Sequence, residues 1–239
     1  MAEPVFDKPP LSVEVQYYIA PETLCNSNAQ NLFDNVDNIL KSEDCKICLE
    51  QLCVGEKIVS LKKCQHTFHL GCIKSALIMG PKCPICRNPV KEPQGKSPSG
   101  KLIIKRLSIK CGGFEHQCHG SIMLGYELKG DVQKEYHPNP GVEYAGTTRT
   151  GYLPDNKDGN DLLKRLKYAW KRGLSFTIGT SLTTGRTNSI TWSSIHHKSR
   201  PSGGIQAHGF PDESYFLNCN KELDSLGIPA TSDLDNVVS

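Results

Sequence analysis

Hydrophobic and polar positions divide the chain into a short leading segment, a central segment and a longer carboxyl-terminal segment. In the leading segment, residues 1–41, one stretch alternates between apolar and polar residues, which predicts a short strand. Its apolar positions are Val13, Val15, Tyr17 and Ile19. A later stretch predicts a helix, because its apolar residues recur at helical spacing, at Leu32, Phe33, Val36 and Leu40. We interpret residues 1–41 as an accessory segment.

The carboxyl-terminal segment alternates between strand-like and helical patterns. Strands are predicted over residues 102–109, 121–128, 174–178 and 189–192. An amphipathic helix is predicted over residues 161–172 and ends at Gly173, since glycine readily adopts the left-handed backbone that follows many helices. A last helix is predicted from Asp212 to Leu226 and ends at Gly227. These elements predict an α+β domain over residues 102–239.

Residues 91–101 are rich in proline, glycine and serine, which is typical of a linker between domains. The central domain then covers residues 42–90. A chain of 239 residues is long enough for one sizeable domain and one small one. No apolar run approaches the roughly 18 residues that a membrane span needs, so we expect no membrane contact.

The composition bears on the compartment and on the partners. The first residues lack the basic start and apolar middle of a secretory signal, so we expect a reducing compartment, the cytoplasm or the nucleus. The 11 cysteines are therefore candidate metal ligands before they are candidate disulfides. A net charge of +3 does not by itself indicate a nucleic acid partner.

The central domain contains eight candidate zinc ligands in four pairs, and four pairs make two tetrahedral sites. A domain of roughly 40 residues buries too little apolar surface to fold without help, so metal binding must supply much of its folding free energy. Both sites are expected to be structural. The eight ligands are Cys45, Cys48, Cys64, His66, His69, Cys72, Cys83 and Cys86.

This ligand order resembles that of the RING finger, a small two-zinc cross-brace domain in which the first and third pairs bind one ion. The resemblance implies that one site consists of Cys45, Cys48, His69 and Cys72. It implies that the other consists of Cys64, His66, Cys83 and Cys86. The PHD finger is an alternative zinc module, but it prefers a different ligand order and a Trp where Pro81 stands. Nucleic-acid-binding fingers are a second alternative.

RING fingers bind a ubiquitin-conjugating enzyme through a shallow apolar groove. The resemblance assigns that groove to Ile47 and Pro84, and it assigns to Arg87 the role of a residue that bridges the conjugating enzyme and ubiquitin. A planar guanidinium with five donors suits this role. The alternative is that Arg87 is only a solvated surface charge. The Trp that many RING fingers carry after the sixth ligand is absent here, where Ala76, Leu77 and Ile78 stand.

Small hydroxyl residues, glycines and histidines are dense over residues 176–211, which indicates a ligand pocket, although such residues are also ordinary turn formers. On the last helix, Glu222 shares an apolar stripe with Tyr215, Cys219 and Leu226. A carboxylate on an apolar face is costly unless it is paired or functional. The alternative is that Glu222 lies at the solvent edge of the stripe or pairs with a lysine.

The order of motifs resembles the Deltex family of ubiquitin ligases. The shared motifs are the RING, His137-Pro-Asn-Pro-Gly141, Tyr152-Leu-Pro-Asp-Asn156, the Gly-Thr-Ser run from Gly179, Ile195-His-His-Lys198 and Gly209-Phe-Pro211. The resemblance implies a carboxyl-terminal domain of the Deltex type that binds ADP-ribose or NAD+. By motif position, the ADP-ribose-binding residues are Gly179, Ser181, Thr183, Thr184, Gly185, His196, His208, Gly209 and Phe210.

The resemblance also assigns catalytic roles to two of these positions. His208 would hold or deprotonate a ribose hydroxyl, and Glu222 would orient that imidazole or act as the base. Two positions depart from the family, since Phe210 stands where Tyr is usual and Leu182 stands where some members have Ser.

The sequence therefore predicts a RING-type ubiquitin ligase with two structural Zn2+ ions and ADP-ribose or NAD+ as ligand. Its expected partners are a ubiquitin-conjugating enzyme, ubiquitin, and protein substrates, including ADP-ribosylated ones. Two alternatives remain open: a RING ligase whose carboxyl-terminal domain is only a protein-binding platform, and a non-catalytic zinc scaffold.

Overall fold

The computed structural model describes residues 12–18, 32–36, 43–53, 57–79, 82–181 and 184–235. The chain forms two compact units. The smaller unit covers residues 23–93, and the larger one combines residues 1–22 with residues 94–239. Within the described ranges, none of the helices has the length and the apolar character that a bilayer span requires.

The described residues of the smaller unit form a three-stranded antiparallel sheet and one helix. The strands are β2 (Phe33–Asn35), β3 (Ile58–Leu61) and β4 (Thr67–His69), and β3 lies in the middle of the sheet. Helix α1 (Leu70–Met79) follows β4 directly. The apolar core is small and consists of Leu52, Ile58, Val59, Leu61, Phe68, Ile73 and Val90 around the buried Cys45 and Cys83.

The predicted helix around Phe33 is wrong. Phe33 pairs with Leu61 in the sheet, and Val36 N donates to Ile58 O at 3.2 Å. Four apolar residues at helical spacing are a weak signal, and strand pairing with β3 overrides it. Leu40, the last residue of the predicted stripe, lies outside the described residues.

The larger unit is built on a four-stranded antiparallel sheet in the order β1-β5-β6-β9. Its strands are β1 (Ser12–Tyr18), β5 (Gly100–Leu107), β6 (Ser121–Leu128) and β9 (Thr147–Pro154). The strands predicted in the leading segment and over residues 121–128 are present, although Ile19 lies outside the described residues. Because β1 pairs with β5 along its full length, this part of the leading segment belongs to the core sheet.

Helix α2 (Lys157–Lys171) packs its apolar side on this sheet and buries Leu162, Leu166 and Trp170. It begins before the predicted residue 161, because the Asn156 side chain caps it by accepting from Gly159 N at 2.9 Å. Gly173, with φ of 63°, follows its end as predicted.

Most of the predicted linker, residues 91–101, is packed against the larger unit in the structure. Gly95 N donates to Arg172 O at 2.8 Å, and Ser97 N donates to Gly173 O at 3.1 Å. Ser97 is fully buried, and Gly100 already belongs to β5. Residues 95–101 of the predicted linker are therefore part of the larger unit, and Gly95 is required there by the close approach of Gly173 O.

The described part of the larger unit also contains two hairpins, a 3-10 helix at Ile205–Ala207 and two further α-helices. Strands β7 (Asp131–Val132) and β8 (Glu143–Tyr144) form one hairpin, and β10 (Phe176–Gly179) and β11 (Ser189–Trp192) form the other. Helix α3 (Tyr215–Ser225) is followed by Gly227 with φ of 75°, as predicted, and then by α4 (Thr231–Asp235). The architecture is the predicted α+β arrangement.

Candidate functional site

Two knuckles of equal geometry carry four of the predicted zinc ligands. In the first knuckle, Leu49 N donates to Cys45 O and Cys45 N donates to Glu50 O, both at 2.8 Å. In the second, Arg87 N donates to Cys83 O and Cys83 N donates to Asn88 O, again at 2.8 Å. Leu49 and Arg87 both adopt a left-handed backbone, with φ of 65° and 59°. The repetition shows that both cysteine pairs are held in one conformation.

The eight predicted ligands form two clusters with the predicted membership. Cys45, Cys48, His69 and Cys72 form one, and Cys64, His66, Cys83 and Cys86 form the other. The four donor atoms of each cluster all lie within 4.8 Å of one another. His69 Nδ1 is 3.4 Å from Cys48 Sγ, and His66 Nδ1 is 3.5 Å from Cys83 Sγ. Around a tetrahedral zinc ion, such N···S separations are about 3.5 Å.

The electrostatics of the first cluster also fit a divalent cation. Burial and the neighbouring Cys48 and Cys45 thiols raise the pKa of Cys72 to about 11. The three thiols of this cluster repel one another once they ionise, and a bound cation removes that repulsion. The donor sets, three thiols and one imidazole in each, are those of closed structural zinc sites.

The knuckles present the residues predicted to meet a conjugating enzyme. Ile47 is partly buried, whereas Pro84 and Arg87 are exposed. Two further apolar side chains of the same knuckles are exposed, Leu49 by 77% and Ile85 by 42%. The prediction missed them, although Leu49 directly follows the first Cys-x-x-Cys repeat and Ile85 lies inside the second, which was a usable signal. Ile78 and Met79 at the end of α1 are exposed as well.

The larger unit contains a cleft of about 450 Å³ whose walls include His196, His208 and Glu222. Glu222 Oε2 accepts from His196 N at 2.9 Å, and Glu222 Oε1 forms a hydrogen bond with His196 Nδ1. The predicted partner of Glu222 was His208. The hydrogen-bond geometry gives it His196 instead, because helix α3 runs beside the segment that follows β11. Glu222 lies at the edge of the apolar side of α3, which Tyr215, Cys219 and Leu223 form.

His208 is exposed at the cleft and has an unusual backbone. Its φ is 55°, in the left-handed region, and its carbonyl accepts from Ser199 N at 2.9 Å. The next residue, Gly209, is buried, and a Cβ there would lie 2.1 Å from Ser202 O. Gly209 is therefore required by the close approach of two loops, which holds His208 in place.

A buried ion pair in the same cleft was not predicted. Lys198 Nζ donates to Asp212 Oδ2 at 2.5 Å, and both side chains are 10% exposed or less. Burial alone would raise the pKa of Asp212, but the donors from Lys198 and Ser214 hold it below its usual value. Lys198 also lies over the ring of Tyr215, with Nζ 5.4 Å from the centroid. A Lys next to two histidines carried too little sequence signal to identify this pair.

Phe210 was predicted to line the ADP-ribose pocket, but it lies in the apolar core. Its ring has no exposed surface, and it packs edge-to-face on Phe114 and Tyr215 with centroids 5.6 and 5.5 Å apart. A side chain without exposed surface cannot contact a ligand, so we assign Phe210 to the core.

The remaining predicted ligand contacts lie at the β10–β11 turn. Gly179 ends β10, and Ser181 N donates to Arg186 O while Gly185 N donates to Ser181 O, both at 2.8 Å. Thr184 N donates to Ser181 Oγ at 3.3 Å. Thr183 and Leu182 lie outside the described residues. In the described part of this turn, no residue is among those lining the cleft, so the predicted pocket residues form two groups.

His197, beside His196, has a structural role that the sequence did not reveal. Its ring stacks on Trp192 at 4.1 Å between centroids, and its Nε2 is 2.9 Å from Tyr126 Oη. Its Nδ1 is 3.1 Å from Ile195 O, so the neutral ring donates to Ile195 and accepts from Tyr126. Burial lowers the pKa of His197 to about 4.

The cross-braced clusters define the smaller unit as a RING domain, joined here to an α+β domain with a histidine-lined cleft. Residues 43–87 match the family model of the Ring finger domain, and residues 94–228 match that of the Deltex C-terminal domain. The second match alone covers more than half of the chain. The chain therefore belongs to the Deltex family.

Curated relatives agree with these matches. The human "Probable E3 ubiquitin-protein ligase DTX3" is 41% identical over 186 residues, which are 77% of this chain and 52% of the relative. The human "E3 ubiquitin-protein ligase DTX1" is 34% identical over 207 residues, 78% of this chain and 33% of the relative. The "RING-H2 finger protein ATL3" of Arabidopsis thaliana is 39% identical over 66 residues, 28% of this chain and 20% of the relative. The chain thus spans about half the length of the DTX3 relative.

Proposed function

We propose that this chain is a RING-type ubiquitin ligase whose carboxyl-terminal domain binds ADP-ribose or NAD+. The observation that carries the ligase proposal is the pair of cross-braced donor clusters, which fix two knuckles of equal geometry, the second with Arg87 exposed. The relatives named as ubiquitin-protein ligases support the same reading. We further propose a reducing, cytoplasmic setting, because six of the cysteines are assigned to metal-donor clusters rather than to disulfides.

The proposed mechanism of transfer is positional. When bound, the two zinc ions supply shape alone, because closed four-ligand sites leave no open position for chemistry. Ile47 and Pro84 contact the conjugating enzyme, and Arg87 donates hydrogen bonds to both that enzyme and ubiquitin. Holding the thioester-linked ubiquitin in one orientation raises the probability of attack by a substrate amine or hydroxyl.

In the second domain, the proposed ADP-ribose site has two parts. The β10–β11 turn offers the hydroxyl groups of Ser181 and Thr184 as donors to phosphate groups. The cleft offers the His196–Glu222 pair and the exposed His208 to a ribose hydroxyl. Glu222 fixes the orientation of the His196 ring through their hydrogen bond, and His208 holds or deprotonates the hydroxyl. Proteins that carry ADP-ribose are then the substrates that this domain brings to the RING.

Autoubiquitination with a broad panel of conjugating enzymes tests the ligase proposal. We expect activity from the wild type, and strong loss from Ile47→Ala and Arg87→Ala. Lys46→Ala is the matched control, because it removes an exposed cation from the same knuckle and should retain activity. A wild type that is inactive with every conjugating enzyme, although folded and loaded with zinc, would eliminate the ligase proposal and leave a zinc scaffold.

Calorimetry with ADP-ribose tests the ligand proposal separately. We expect binding by the wild type, weakened in His196→Ala and in Ser181→Ala, and loss of transfer to ADP-ribose in His208→Ala. His119→Ala removes an exposed imidazole outside the cleft and serves as the control. Absence of binding at millimolar ADP-ribose by the folded protein would reduce this domain to a protein-binding platform.

A further inference from the structure

We infer that Asn188 is a positioning residue for the proposed ADP-ribose site, and that the motif His137-Pro-Asn-Pro-Gly141 acts through it. This inference rests on the proposed ADP-ribose binding and extends it to residues outside the cleft and outside the turn itself. Asn188 lies between the β10–β11 turn and β11, where the chain returns from the turn. Its side chain joins that turn to the β7–β8 hairpin.

A chain of hydrogen bonds fixes the orientation of three amide side chains. Asn139 N donates to Gln133 Oε1 at 3.0 Å. Because a backbone N–H can only donate, the accepting atom of Gln133 must be its amide oxygen. Gln133 must therefore present Nε2 on its other side, where it donates to Asn188 Oδ1 at 3.0 Å. Asn139 Nδ2 donates to the same Oδ1 at 2.9 Å. Asn188 Oδ1 thus uses both of its lone pairs on the hairpin.

The hairpin that holds Asn188 is itself well fixed. Gln133 is 2% exposed, and its backbone bonds to Val142 and Gly141 close the loop between β7 and β8 at 2.9 Å each. Within the motif, His137 is buried and its Nδ1 accepts from Lys134 N at 3.0 Å. The hairpin also runs beside the start of β11, where Ala145 bridges Ser189 in a parallel arrangement. The side-chain amides of Gln133 and Asn139 are therefore held in fixed positions, and they fix the position of Asn188 in turn.

The backbone of Asn188 explains why this residue type is suited to the position. Its φ is 51°, in the left-handed region, which Asn and Asp enter at lower cost than other side chains except glycine. The turn's own bonds, between Ser181 and Arg186 and between Gly185 and Ser181, fix its shape but not its direction. The two bonds to Asn188 supply the direction, and they determine where the Ser181 hydroxyl points.

Three substitutions separate this role from general stabilisation. Asn188→Gly keeps the left-handed backbone and removes both bonds, whereas Asn188→Asp keeps the backbone and both acceptor bonds. Asp also adds a negative charge near a diphosphate, so its control is Thr187→Asp, which places the same charge one residue earlier. Calorimetry with ADP-ribose reports both the dissociation constant and the fraction of binding-competent protein, and a thermal melt reports stability.

We expect Asn188→Gly to bind ADP-ribose roughly tenfold more weakly at unchanged stoichiometry, the effect of two lost neutral hydrogen bonds. Asn188→Asp should match Thr187→Asp, and Asn139→Ala, which removes one donor, should fall between wild type and Asn188→Gly. Wild-type affinity in Asn188→Gly would overturn the inference while leaving the proposed function intact, even if the melting temperature fell. Binding by Asn188→Asp as weak as that of Asn188→Gly, with Thr187→Asp near wild type, would also overturn it. Failure of the wild type to bind would eliminate the proposed site, and the inference with it.

Discussion

At the scale of single residues, His197 couples the stability of the larger unit to pH. Its folded pKa is about 4, and the ordinary value is 6.5, so between these two pH values the unfolded chain binds more protons than the folded one. Stability is therefore full above pH 6.5 and falls as the pH drops towards 4, by about 3 kcal/mol in total. Urea titrations at a series of pH values measure this slope.

His197→Gln isolates this contribution from that of the carboxylates. The amide does not titrate, so the variant should be less stable at pH 7.5, where it loses the stacking on Trp192, but should show a shallower decline below pH 6.5. Both tryptophans of the chain, Trp170 and Trp192, lie in the larger unit, so their fluorescence reports on it alone. A decline as steep as that of the wild type would contradict the assignment.

The Lys198–Asp212 pair provides the second prediction at this scale. Lys198→Met leaves a carboxylate buried without its cation, and breaking such pairs typically lowers stability by about 3 to 5 kcal/mol. Lys157→Met is the matched control, because the Lys157–Asp161 pair is solvent-exposed and should leave the unfolding midpoint unchanged. Equal melting temperatures for the two variants would show that the buried pair contributes no more than a surface pair.

Residue-level predictions succeeded where the signal was local. The zinc ligands repeat within short spacings, and the structure places all eight in two clusters of four, as expected. The partner of Glu222 depends on how α3 packs beside a segment 26 residues away in sequence, and no spacing reports that. Phe210 was assigned to the pocket by motif position, whereas its burial depends on Phe114 and Tyr215, which lie elsewhere in the chain.

At the scale of elements, helices and strands were predicted where caps and periodicity agree. Strand β6 matches its predicted range, and α2 ends at the predicted glycine but begins earlier because Asn156 caps it. The stretch around Phe33 has helical spacing, and only pairing with β3 makes it a strand. Pairing with a distant strand is not encoded in a window of a few residues, so local spacing alone does not distinguish this strand from a helix.

The docking of residues 95–97 against α2 gives a prediction for a single element. A Cβ at Gly95 would lie 1.9 Å from Gly173 O, so Gly95→Ala should displace this segment and cost at least about 2 kcal/mol in unfolding free energy. Gly125→Ala is the control, since its nearest neighbour would be 3.6 Å away. Chemical denaturation followed by tryptophan fluorescence compares the two, and equal midpoints would mean that the segment is not docked in solution.

At the scale of the whole molecule, the two units differ in what holds them together. The larger unit has an extensive apolar core that includes Leu102, Leu124, Leu166 and Trp170. Among its described residues, the smaller unit buries only seven large apolar side chains and holds two clusters of metal donors. A small core contributes little stability, so zinc binding must supply most of the folding free energy of the smaller unit. The larger unit does not depend on zinc in this way.

Removal of the metal should therefore separate the two proposed activities within one intact chain. We expect two zinc ions per chain by elemental analysis, and excess chelator should abolish autoubiquitination while ADP-ribose affinity stays within about twofold of its starting value. Tryptophan fluorescence should not change, because both indoles lie in the unit that lacks a donor cluster among its described residues. Restoring zinc should restore ligase activity, which excludes irreversible oxidation of the thiols as the cause. Loss of ADP-ribose binding together with ligase activity would mean that the metal also supports the second domain, and ligase activity that survives complete removal of zinc would contradict the structural role of the clusters.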